Sequence, residues 1–135
     1  MPQFAVLLGW VAVGSAVGGA ARVFVSGFVA RVLGKSLPWG TLVVNVTGSA
    51  AIGVLAALAE AEVLLVRPEA SALVVTGFLG SYTTVSAFSL QTLALAQAGD
   101  VRKAAGNVVL SLGLCLAAAA AGLLLARAAL NGAAA

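Results

Sequence analysis

Four apolar stretches, at about residues 4–30, 39–59, 71–97 and 104–130, occupy most of this 135-residue chain. Each is long enough to cross the hydrocarbon core of a bilayer as a helix, which takes about 20 apolar residues. The connecting segments are too short to form a soluble domain. A composition with 62% hydrophobic and 8% charged residues, and a mean hydropathy of +1.15, agrees with that reading. The expected fold is an all-α membrane protein: one four-helix transmembrane domain over residues 1–135, multi-pass in the inner (plasma) membrane. The first apolar run has no basic stretch before Phe4 and reads as a retained helix rather than a cleaved leader.

Charges and helix breakers mark the gaps. Arg31, Gly34, Lys35 and Pro38 fall in the first; Glu60, Glu62, Arg67, Pro68 and Glu69 in the second; Gly99, Asp100, Arg102 and Lys103 in the third. Pro38 suits the start of a helix, and Trp39 beside it suits the membrane interface. Arg31, Lys35, Arg102 and Lys103 share one side of the membrane, while Arg67 and Arg127 share the other. The positive-inside rule leans toward a cytoplasmic first and third loop, but by so few charges that both insertions are permitted.

Several function classes drop out. Seven basic residues scattered at segment ends form no basic face, so a pI near 9.8 does not imply nucleic acid. The chain has no His and a single cysteine, Cys115. It therefore lacks the base of a Ser–His or Cys–His hydrolase, and His/Cys metal sites and an internal disulfide as well. None of the four stretches contains Asp or Glu, which leaves a proton-coupled exporter without its titratable carboxylate and a lining that favours an anion.

The polar residues inside the apolar stretches are the candidate functional groups, because each needs a partner in hydrocarbon. Arg22 reads either as a side chain snorkelling to the interface or as a fixed positive charge at a vestibule. Asn45 reads either as an interhelical hydrogen bond or as a pore-lining donor whose amide replaces part of an anion's water shell. Asn107, Ser111 and Cys115 recur at steps of four and share one helix face, a packing stripe or a polar track. Small residues at Gly14, Gly18, Gly48, Ser49 and in the alanine tract after Leu116 permit close helix contacts, and a dimer is expected of so small a bundle.

The densest cluster is GFLGSYTTVSAFS at 77–89, with two glycines and six hydroxyl side chains in thirteen residues. Back-bonding to the i−4 carbonyl accounts for one or two hydroxyls. The whole cluster is better explained by a broken third helix, whose freed carbonyls suit a hard cation such as Na+. Phe88 adds an aromatic edge of partial positive charge, able to face an anion.

GGAAR at 18–22, WGTLVVNVTGS at 39–49, GFLGSYTTVSAFS at 77–89 and NVVLS at 107–111 together resemble the Fluc/CrcB family of fluoride channels over nearly the full chain. The resemblance implies a dual-topology dimer of antiparallel four-helix subunits, formed with a second copy or a paralogous subunit. It implies passive efflux of fluoride through two pores, and a structural Na+ at the dimer interface held by the Gly80 and Thr83 carbonyls. On the same grounds Asn45, Thr84, Ser86, Phe88 and Ser111 belong to the fluoride path, and Arg22 matches the arginine of the first-helix motif. The chain departs from the usual TTFSTFS pattern: Val85 stands in place of the first phenylalanine, Ala87 in place of a threonine, and Gln91 where an acidic residue is usual. One aromatic edge of the path is thereby missing. A non-conducting partner subunit is the rival reading that Val85 supports.

Overall fold

The structure, a computed structural model, describes residues 2–34, 36–63, 65 and 67–133. Lys35, assigned above to the first loop, lies outside the described residues. Four helical spans are long and apolar enough to cross a membrane, with no strand among the described residues. Helix α1 is Pro2–Leu33 and α2 is Trp39–Glu60. The third span divides in two. Its first half, α3, runs through Pro68–Ser71, a π-helical stretch Ala72–Leu79 and Gly80–Tyr82. Its second half, α4, is Val85–Gln97, and the fourth span, α5, is Val101–Ala133.

Three of the spans overrun the apolar stretches by several residues. Hydropathy falls at the first charge, but i→i−4 hydrogen bonds continue into the interfacial region where water can solvate that charge. The ends are marked by backbone geometry. Gly34 (φ +79°) follows α1 in the left-handed conformation typical of a residue just past a helix end. Gly99 (φ +84°) closes α4 in a Schellman motif, with Asp100 N–H donating to Leu95 O and Gly99 N–H to Ala96 O, both at 3.0 Å. The chain reverses there within three residues, so α4 and α5 are antiparallel neighbours.

Glycine sets how closely the helices approach. A Cβ at Gly14 or Gly18 would overlap the carbonyl oxygen of Leu73 or Phe78, so α1 and α3 cross nearly backbone to backbone. The same holds where Gly53 of α2 meets Ala119 O of α5, and where Gly122 of α5 meets Ala50 O of α2. In lipid such contacts replace the hydrophobic drive that water would supply. The small residues expected to mediate close contacts do so within one subunit. Gly40, Thr41, Leu42, Val44, Gly48, Gly53 and Ala57 make α2 the most buried helix and the axis of the bundle. At one end, Arg127 of α5 clasps Glu60 of α2 through two nitrogens at 2.7–2.9 Å.

Candidate functional site

The third span breaks at Thr83 (ψ 160°) and Thr84 (φ −155°, ψ 117°), both extended. Extended backbone in a bilayer frees groups that a helix would have paired, and each needs another partner. Asn45 of α2 supplies two at once. Its Nδ2 donates to Thr84 O at 2.9 Å and its Oδ1 accepts from Thr84 N–H at 2.8 Å, as a neighbouring strand would. A primary amide has two N–H groups, so one is left without a partner among the described residues. The two readings of Asn45 are thus compatible, since one amide ties the break and still offers a donor.

The threonines complete the local bonding. Thr84 Oγ1 caps α4 by accepting from Ala87 N–H at 3.1 Å, and Ser86 Oγ lies 3.1 Å from the same oxygen. Thr83 Oγ1 back-bonds to Leu79 O at 2.9 Å. The Tyr82 hydroxyl sits 2.9 Å from Thr47 Oγ1 on α2, and its ring stacks on Phe78. Gly48 makes room for the turn, because a Cβ there would overlap the Thr83 methyl group.

The break leaves the carbonyls of residues 80–83 without the i+4 donors of a continuous helix. In a continuous helix Gly80 O would accept from Thr84 N–H, and Thr83 O from Ala87 N–H. Here those donors turn to Asn45 and to Thr84 Oγ1. Gly80 and Thr83, the pair implied by the resemblance, are among the carbonyls that lose their helical donors, in both cases to a side chain. Neutral carbonyl oxygens of this kind fit a hard monovalent cation. Among the described residues there is no cluster of His, Cys, Asp or Glu able to hold a metal instead.

A cavity of about 620 Å³ opens beside the break, between α2, α3, α4 and α5. Asn45, Gly80, Thr83, Thr84, Val85, Phe88 and Ser111 all reach its wall, as does Cys115. Of the residues singled out from sequence, Ser86 and Arg22 are not on that wall. Ser86 is tied to the Thr84 cap, and Arg22 is half-buried on α1, without a hydrogen bond or ion pair among the described residues. Val85 is 76% exposed at the rim. Among the described residues no carboxylate lines the cavity, whose amide, hydroxyl and thiol groups and Phe88 ring are set among aliphatic side chains.

Asn107 separates from the rest of its stripe. It is 2% exposed, and its Nδ2 donates to Thr92 Oγ1 at 2.8 Å, whereas Ser111 and Cys115 face the cavity. Tyr82, Thr47 and Thr92 escaped the sequence reading because their partners lie on other helices, although a hydroxyl four residues beyond Phe88 is a visible clue. Gln91 lines a second cavity, of about 660 Å³, with Ser26, Trp39 and Thr41; its Oε1 is buried without a partner among the described residues. Ala30, Leu37 and Ala98 share that wall, which places the first and third loops at one end of the bundle, as the charge pattern requires.

Comparisons with known proteins point to one family. The family model described as CrcB-like protein, Camphor Resistance (CrcB), matches residues 9–123. The fluoride-specific ion channel FluC 2 of Bradyrhizobium diazoefficiens is 55% identical over 127 residues, covering 92% of this chain and 93% of its own. FluC 2 of Rhodopseudomonas palustris is 53% identical, covering 87% of this chain and 91% of its own. FluC of Methylocella silvestris is 48% identical, with 81% and 84% covered. With the model match spanning most of the chain and relatives this similar over nearly their whole length, the protein belongs to the CrcB family.

Proposed function

We propose that this multi-pass membrane protein is a fluoride-selective channel, not an enzyme, and that it lets fluoride leave the cytoplasm down its gradient. Hydrogen fluoride enters cells uncharged and dissociates near neutral pH, so the trapped anion needs a selective exit. The observation that carries the reading is the cavity beside the helix break: Asn45, Ser111 and Phe88 share its wall, with no carboxylate there among the described residues. Fluoride is small and tightly hydrated, and a selective path must replace its water with close donors. The remaining Asn45 N–H and the Ser111 hydroxyl are suited to that, and the edge of Phe88 adds partial positive charge. The names of the relatives support the same ion.

In this reading a second copy, inserted antiparallel, closes the open side of the cavity against lipid. The Gly80 and Thr83 carbonyls would hold a structural Na+ where the two copies meet, as the resemblance implies, and both lose their helical donors at the break. Such an ion would supply positive charge beside the unwound segment, while Asn45 and the Thr84 cap draw competing backbone donors away from those carbonyls. Expression in a bacterium lacking its own fluoride exporter tests the function. Restored growth in fluoride, lost on replacing Phe88 with isoleucine, supports it; growth unchanged from the empty strain contradicts it. The cation is tested by replacing Na+ with a bulky organic cation around the purified protein, which is expected to lower dimer stability.

A further inference from the structure

Asn107 is among the most buried polar side chains described, and it lies one turn outside the cavity that Ser111 and Cys115 line on the same helix face. Its bond to Thr92 Oγ1 (2.8 Å) continues through that hydroxyl to Phe88 O (2.7 Å), forming a chain Asn107–Thr92–Phe88. The link joins antiparallel helices, so each step of four residues toward the membrane centre pairs the next turn of each. One turn inward from Thr92 on α4 is Phe88, and one turn inward from Asn107 on α5 is Ser111. One further turn brings Thr84 and Cys115. All four of these residues line the cavity. The Asn107–Thr92 bond is therefore the first rung of a ladder whose later rungs are the proposed ion path.

We infer that Asn107 is a positioning residue for conduction: through Thr92 it fixes the register in which the Phe88 ring faces Ser111. The inference rests on the channel reading above. The physical reasons are two. A threonine that back-bonds to its i−4 carbonyl bends its helix locally, here at the turn carrying Phe88. Asn107 holds the Thr92 hydroxyl in that rotamer by occupying its acceptor lone pair, and a buried chain of bonds polarises each member in turn. Without the tie, α4 and α5 keep their apolar contacts but lose the Asn107–Thr92 bond, whose directionality distinguishes neighbouring registers.

The test uses the full chain in liposomes, measuring fluoride and chloride efflux for wild type, Asn107→Leu, Thr92→Val, the double variant and Thr92→Ser. Each of the two single losses is expected to slow fluoride efflux about tenfold, as for one hydrogen bond's worth of barrier, and to narrow the preference for fluoride over chloride. The double variant is expected to be no slower than the slower single, and Thr92→Ser, which keeps the hydroxyl, to match wild type. If Asn107→Leu does not fold, the Thr92→Val and Thr92→Ser pair decides alone, because valine is nearly the shape of threonine. Thr92→Val at the wild-type rate, multiplying effects in the double variant, or slowed efflux with selectivity unchanged would each overturn the positioning role. A silent wild type would instead bring down the channel reading and the role with it, so the two failures are distinguishable.

Discussion

The α1/α3 crossing and the α4/α5 contact solve the same problem, holding helices together in lipid, by opposite means. At the first, Gly14 and Gly18 bring backbones so close that no side chain fits between them. At the second, the Asn107–Thr92 hydrogen bond and the short turn at Gly99 hold the helices while a cavity remains one turn further in. The helix break lies between these regimes, with α3 pressed onto α1 and Thr84 bonded to Asn45 of α2. Close packing closes space, whereas a directional bond fixes geometry and leaves space open. A path for an ion needs the second kind of contact, supported on the first.

The largest expected effect comes from breaking the packed side. Gly18→Leu forces a side chain into the Phe78 carbonyl, and backbone overpacking of this sort costs about 3 kcal/mol or more. Loss of folded protein on size-exclusion chromatography is the readout, and a normal melting temperature would count against the backbone contact. Asn45→Leu comes next. It strands Thr84 N–H and C=O together, at roughly 1–3 kcal/mol for each buried group, so both thermal stability and fluoride flux are expected to fall. Phe88→Ile removes the aromatic edge from the cavity wall. It should abolish flux while leaving stability within about 1.5 kcal/mol of wild type, as for a hydrophobic swap of broadly similar volume; undiminished flux would remove Phe88 from the path.

Two smaller effects sharpen the contrast. Val85→Phe restores an aromatic group at the 76% exposed rim and is expected to keep or raise flux; a fall would show a path adapted to valine. Glu60→Gln removes half of a partly exposed ion pair with Arg127, worth under about 1 kcal/mol, and is expected to leave flux unchanged.

How much of this was legible in the sequence depends on the range of the interaction. The four spans were readable because crossing a bilayer is a matter of length and polarity, both local properties. The break was readable as a cluster of glycines and hydroxyls. Its mechanism was not, because the freed acceptors follow from Thr84 turning to Asn45, 39 residues earlier. The π-helical stretch Ala72–Leu79 has no mark of its own in the chain; it lies where α1 presses its glycines onto α3. Asn107 looked like Ser111 and Cys115 because all three share a period of four. What separates it is Thr92, which meets it only once the Gly99 turn has set two helices antiparallel.

The central claim is that this chain alone makes a fluoride-selective path around a single phenylalanine. Its most direct test is efflux from liposomes containing only the purified protein, followed with a fluoride electrode and compared with chloride under the same driving force. Rapid fluoride release with chloride retained is expected. No release from well-folded protein, or equal release of both anions, would contradict it.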